Sequence, residues 1–107
     1  MDIVDFLSDR LDEDEAAARK LLADRSLSEA GKWYERRLLR ECESKRRLLS
    51  IVESARQTAL ATMVRGTLGD APQWIPESIE WTTKSLNALA LPYSDHPDFE
   101  PEWLAGT

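Results

Sequence analysis

The chain has 107 residues, 42% of them apolar and 32% charged, with a formal net charge of −6. That length holds one domain with a modest core, and this mixture suits a folded, well-solvated unit rather than a disordered acidic tail. No apolar run approaches the roughly 20 residues that cross a bilayer, the start Met1-Asp2-Ile3-Val4-Asp5 is acidic where a secretory leader is basic, and one cysteine with one histidine cannot assemble a Cys/His metal site. The expectation is a cytoplasmic protein with no membrane association and no cofactor.

Charge is distributed unevenly. Residues 1–31 hold nine acids and four bases, residues 32–65 four acids and nine bases, and residues 66–107 seven acids and one base. Two acidic flanks folding back on a basic middle would compensate it internally, while a local basic surface could still meet an anionic partner.

The first helix is expected over about 2–24, with Ile3, Val4, Leu7, Leu11, Ala18, Leu21 and Leu22 on one side at about 100° per residue. Asp14 falls within that apolar stripe and needs a partner. Ser26-Leu27-Ser28-Glu29 fits a capping box in which Ser26 and Glu29 satisfy each other's amides, so a second helix is expected over about 28–65. Residues 32–65 contain no Gly and no Pro, and Tyr34, Leu38, Cys42, Leu49, Val52, Ala59 and Met63 form a seam with a seven-residue pattern. A helix of that length, roughly 50 Å at 1.5 Å per residue, outreaches the first. Its surplus has to be covered by the C-terminal segment or by a second copy.

Lys32, Arg36, Arg40, Arg47 and Arg65 form a basic stripe opposite the seam. Glu41 and Lys45, an i,i+4 pair on the apolar side, come level with Asp14 in an antiparallel hairpin, and an Asp14/Lys45/Glu41 contact is expected to set its register. Gly66, Gly69, Pro72 and Pro76 break the long helix, giving a loop over 66–75. A third helix is expected over about 76–90, with Ile79, Thr83, Leu86 and Ala90 along one face. Prolines 92, 97 and 101 then predict an extended tail over 91–107, held by Tyr93, Phe99 and Trp103. The fold class is all-α: an antiparallel helical hairpin with a long central helix, a short third helix and a Pro-rich tail.

Three stretches together carry a resemblance. They are Phe6-Leu7-Ser8-Asp9-Arg10-Leu11-Asp12-Glu13-Asp14-Glu15, Leu39-Arg40-Glu41-Cys42-Glu43-Ser44-Lys45-Arg46-Arg47, and Leu89-Ala90-Leu91-Pro92-Tyr93-Ser94-Asp95-His96-Pro97-Asp98-Phe99 with Trp103. The chain resembles a family of small proteins, a domain of unknown function, from actinobacteria and their phages, whose members close on a similar leucine-rich helix end and Pro-Tyr, Asp-His-Pro-Asp and Trp sequence. The resemblance implies a soluble, mostly helical cytoplasmic protein in that setting. It carries over no activity, cofactor or catalytic residue.

Among the chemical constellations, Asp95-His96-Pro97-Asp98 has the residue types of half a metal site, but turn caps and a histidine bonded to the helical body explain it more simply. Catalysis would need this one histidine, placed in a proline-rich tail that is a poor platform for a base. No phosphate-cradling glycine loop is present, and Cys42 reads as a small core residue. The expected function is a non-enzymatic protein–protein interaction module that binds a host factor or self-associates. Its candidate surface is Arg36, Arg40, Arg47, Met63, Trp74 and Trp81. The alternative is a small regulator contacting nucleic acid through Arg36, Arg40 and Arg47.

Overall fold

A computed structural model of the chain describes residues 1–66 and 72–104. Three helices, α1 (Ile3–Leu22), α2 (Glu29–Arg65) and α3 (Trp74–Ala90), are followed by short 3-10 turns at Leu91–Tyr93 and Pro101–Leu104, and no strand occurs among the described residues. The molecule is a rod 63 Å long and 24 by 19 Å across. Half of the connection expected over 66–75, residues 67–71 with Gly69, lies outside the described residues.

The boundary between α1 and α2 differs from the expected one. Ser26 does not cap a helix: its amide and hydroxyl both donate to Asp24 Oδ1, at 2.9 and 2.7 Å. Those two hydrogen bonds hold the Asp24 carboxyl below its ordinary range. Ser28 caps α2 instead, its Oγ accepting from the Gly31 amide at 3.0 Å. Leu27 closes over this first turn, where a Cβ on Gly31 would come within 2.6 Å of Leu27 Cδ1. Asp24 competes for Ser26 two residues earlier, which moves the cap from one serine to the next.

α1 runs antiparallel to α2, and the register is gripped by Arg46. Its Nε donates to Glu15 Oε1 at 2.8 Å and its Nη2 to Asp12 Oδ1 at 2.5 Å. The hydrogen bond to Glu15, then that to Asp12, stabilises the guanidinium and raises its pKa above the ordinary arginine range. The expected Asp14/Lys45/Glu41 contact is not made. Glu41 pairs with Arg37 one turn back at 3.1 Å, and Asp14 accepts from the Tyr93 hydroxyl at 2.6 Å. Lys45 borders a cavity of about 10 Å³ among Leu7, Leu11, Leu49, Leu89 and Tyr93. The tail supplies Asp14 with a donor that hairpin geometry alone does not contain.

The seam of α2 is buried only where another element lies alongside. Cys42, Leu49, Val52 and Ala59 are buried and Leu38 is half-buried, whereas Tyr34 and Met63 at its two ends are exposed. Burial raises the Cys42 thiol above its ordinary range, with the charges of Asp14 and Glu15 adding to the shift. On α1, Phe6 joins Ile3, Leu7, Leu11 and Ala18 in the core, and Leu21 of the expected stripe is exposed.

α3 begins at Trp74 rather than Pro76, so the expected loop tryptophan is the first helical residue. Pro76 is tolerated because the first-turn amides have no intrahelical acceptor. Ile75, Thr82, Leu86, Asn87 and Ala90 are buried, while Thr83 of the expected face is exposed. α3 also lies antiparallel to α2: Trp74 and Ser78 sit beside Ser54 and Thr58, and Leu89 beside Lys45 and Leu49. The tail buries Phe99 and Trp103 as expected but is turned rather than extended. His96 N–H donates to Tyr93 O, Phe99 N–H to His96 O and Trp103 N–H to Glu100 O. Prolines that exclude a regular helix still permit these local i,i+3 bonds.

Two measurements test this packing. Phe6 is fully buried, so Phe6→Ala is expected to cost about 3–5 kcal/mol in chemical unfolding. Glu15 is held below its ordinary 4.5, first by the Arg46 hydrogen bond, so the stability it contributes is complete above that value and is lost as pH falls through the lowered one. Between about pH 6 and about pH 3 the wild type is expected to lose more melting temperature than Glu15→Gln.

Candidate interaction surface

Three side chains at i, i+4 and i+8 on α1 receive the tail. Phe6 meets Trp103, His96, Phe99 and Tyr93 with ring centroids at 4.9, 5.6, 6.1 and 6.2 Å. One turn on, Arg10 is buried, its guanidinium 5.0 Å from the Phe6 ring centroid, its Nη1 2.9 Å from His96 Nδ1 and its Nη2 donating to Glu13 at 2.9 Å. Another turn on, Asp14 holds Tyr93, whose phenol is shifted upward first by burial and then by this hydrogen bond.

This ladder uses the groups that looked most chemical in the sequence. His96 Nδ1 accepts the Asp98 amide at 3.0 Å, and the Arg10 guanidinium lies against the ring with its Nη1 2.5 Å from Nε2, so the ring is engaged by its own turn and by α1. No group of three His, Cys, Asp or Glu residues placed to hold a metal occurs among the described residues, and no helix of these residues is long and apolar enough to cross a membrane.

The second concentration of unusual features lies on α2 and α3. At about 100° per residue, Arg36, Arg40, Arg47, Ile51, Ser54 and Thr58 fall within one sector of α2 about 60° wide. Along it Arg36 and Arg40 are exposed with no ion pair among the described residues, while Arg47 donates to Glu43 at 2.7 Å. Past Arg47 the character changes: from Leu48 to Val64 only Glu53 and Arg56 are charged, and both are half-buried. Here α2 and α3 leave a groove of about 570 Å³ lined by Ser50, Ile51, Ser54, Ala55, Thr58, Trp74 and Ser78.

Ile51 is 64% exposed beside this groove and Trp74 is 45% exposed. Trp81 lies on the same side of α3 two turns on, and Leu48 is one turn before Ile51 on α2; both are about half exposed. The candidate residues therefore divide. Trp74 lines the groove, Trp81 flanks it and the arginines continue its α2 wall, but Met63 protrudes near the end of α2 and does not line it. Ile51 and Leu48 were missed because they lie off the seam. A Leu-x-x-Ile step in a charge-free run was their signal.

Over residues 1–105 the chain matches a family model described as a family of unknown function, DUF6221. The chain belongs to the DUF6221 family. The match runs through both the aromatic ladder and the α2–α3 groove, so both lie within the DUF6221 region. No curated protein and no solved structure matches this DUF6221 chain.

Tyr93→Phe in the DUF6221 chain keeps the ring and removes the donor to Asp14. The expected cost is about 1–3 kcal/mol, read as a lower urea midpoint at unchanged slope. Ser94→Ala, which removes one hydroxyl oxygen from an exposed position of the same tail, is expected to leave the midpoint in place.

Proposed function

We propose that the chain is a non-enzymatic protein-interaction module that docks a partner on the face formed by α2 and α3. The observation that carries the reading is the uncharged groove bordered by exposed Ile51, Leu48, Trp74 and Trp81. Contiguous exposed apolar surface rimmed by polar residues is characteristic of docking sites, and tryptophan is the residue type most enriched among their energetic anchors. The non-enzymatic part is supported by how the reactive side chains are employed: His96 is bonded to Arg10 and to the Asp98 amide, and the Cys42 thiol is buried and shifted upward. The partner is a host-cell protein or a second copy of the chain. The actinobacterial or phage setting and the cytoplasmic location rest on the resemblance of the sequence.

A photo-crosslinking residue at position 51, introduced in the producing cell, is expected to give a discrete protein adduct. The same residue at exposed Gln57, about 120° round α2 from Ile51, is expected to give none. Adducts of equal yield at both positions, or none at either, would count against the face.

Arg36 and Arg40, exposed and with no ion pair among the described residues, support a second reading, a regulator that contacts nucleic acid along the basic stripe. It predicts a salt-dependent gel shift that is lost when Arg36, Arg40 and Arg47 are all changed to Glu. No shift at low salt would dismiss it.

A further inference from the structure

We infer that the partner of the α2–α3 face is a second copy of this chain, packed antiparallel so that Ile51 of each copy enters the other's groove. The inference rests on the reading of that face as a protein-docking surface, and it names the occupant.

Self-complementarity is the first argument. A two-fold interface requires that a surface and the surface it meets be the same one, so a projection and a matching depression must lie on one face, offset about the axis. Ile51, the most exposed of the four apolar residues here, is the projection. One turn on, Ser54, Ala55 and Thr58 form the floor of the groove between Trp74 and Ser78. An axis crossing α2 between Ile51 and Ala55 places each Ile51 against the partner's Ala55. Small side chains at 50, 54, 55 and 58 let two helix backbones approach closely there.

Charge selects the orientation. Parallel copies would stack Arg36, Arg40 and Arg47 on their own equivalents. Antiparallel packing about this axis separates the two Arg47 positions by about 18 Å along the helix and the Arg40 and Arg36 positions by more. The arginine stripes then project from opposite ends of the pair, and the side of α2 that carries Ile51, Ser54 and Thr58, from which Glu53 and Arg56 are turned away at about 100° per residue, meets itself.

The area is sufficient. Leu48, Ile51, Trp74 and Trp81 at their observed exposure present roughly 400 Å² of apolar surface per copy, judged from ordinary side-chain areas. With the serine and threonine surface between them, two copies bury about 1,200 Å² in total, the lower bound of stable interfaces. A micromolar dimer is the expectation, since area alone does not give tight binding.

Sedimentation equilibrium from about 1 µM to about 100 µM tests this on the full chain. The wild type is expected to pass from monomer to twice the monomer mass within that range. Ile51→Asp, and independently Trp81→Lys, should weaken dimerisation at least tenfold with an unchanged far-UV circular dichroism spectrum, because both positions are solvent-exposed. Register is read by cysteine pairing against the buried Cys42: Ser54→Cys should oxidise to a covalent dimer, and Ser44→Cys, about 27 Å from its equivalent, should not.

A wild type that stays monomeric throughout overturns the inference. If position 51 then still crosslinks to another protein, the docking reading survives with a different occupant; if it crosslinks to nothing, that reading falls too. A dimer that persists undiminished in both Ile51→Asp and Trp81→Lys places the contact elsewhere, and preferential pairing of Ser44→Cys rejects the antiparallel register. Either result overturns the inference.

Discussion

The ring of Phe6 is the point on which the two ends of this chain converge. A single phenylalanine on the second turn of α1 collects four aromatic rings from a segment some 90 residues later in sequence. Tail positions 93, 96, 99 and 103 recur at intervals of three, three and four, which in turned backbone brings them to one side. The tail's prolines thus serve packing as well as exclusion: a regular helix would be too straight to curl around one ring, and an extended strand would alternate its faces. Arg10 and Asp14 continue the arrangement along α1 with polar contacts, to His96 and to Tyr93. These polar contacts are more sharply directional than the aromatic ones, so the pair of them fixes where the tail lies, while Phe6 supplies apolar burial.

The long helix is two helices in character. Its first half is dense in charge and faces the acidic α1, where Arg46 meets two carboxylates, and its second half is nearly free of charge and faces α3. The first half is therefore specified electrostatically, through the Arg46 pairing, and the second mainly by apolar burial. Apolar packing tolerates sliding better than a bidentate ion pair does. α3 is accordingly the element whose placement depends most on what else covers that end of α2, and the face it shares with α2 is where apolar side chains remain in water.

Much of this was legible in the sequence, and the misses have a common cause. Gly and Pro marked the break after α2, a serine-rich capping sequence marked the one before it, and the apolar spacing picked out Cys42, Leu49, Val52 and Ala59 correctly. Those are signals within one element. Asp14 was matched to Lys45 because a hairpin offers nothing closer, and the true donor, Tyr93, arrives from the far end of the chain. Phe6 and Arg10 went unremarked for the same reason, since their partners are in the tail. The groove is formed between two helices and lies off the seam of the longer one, so no single periodicity contains it. The basic stripe, by contrast, was readable from one helix alone and does lie on a single exposed side.

Cys42 is buried in the core on the α1 side of α2, 1% exposed, with its thiol shifted upward. As the chain's sole sulfhydryl, it is a built-in clock. A thiol reagent can reach it only when the elements packed over it open, so the rate of modification reports that opening. The hairpin thereby carries its own reporter of breathing at the level of the acid–arginine grip, without any label having to be introduced.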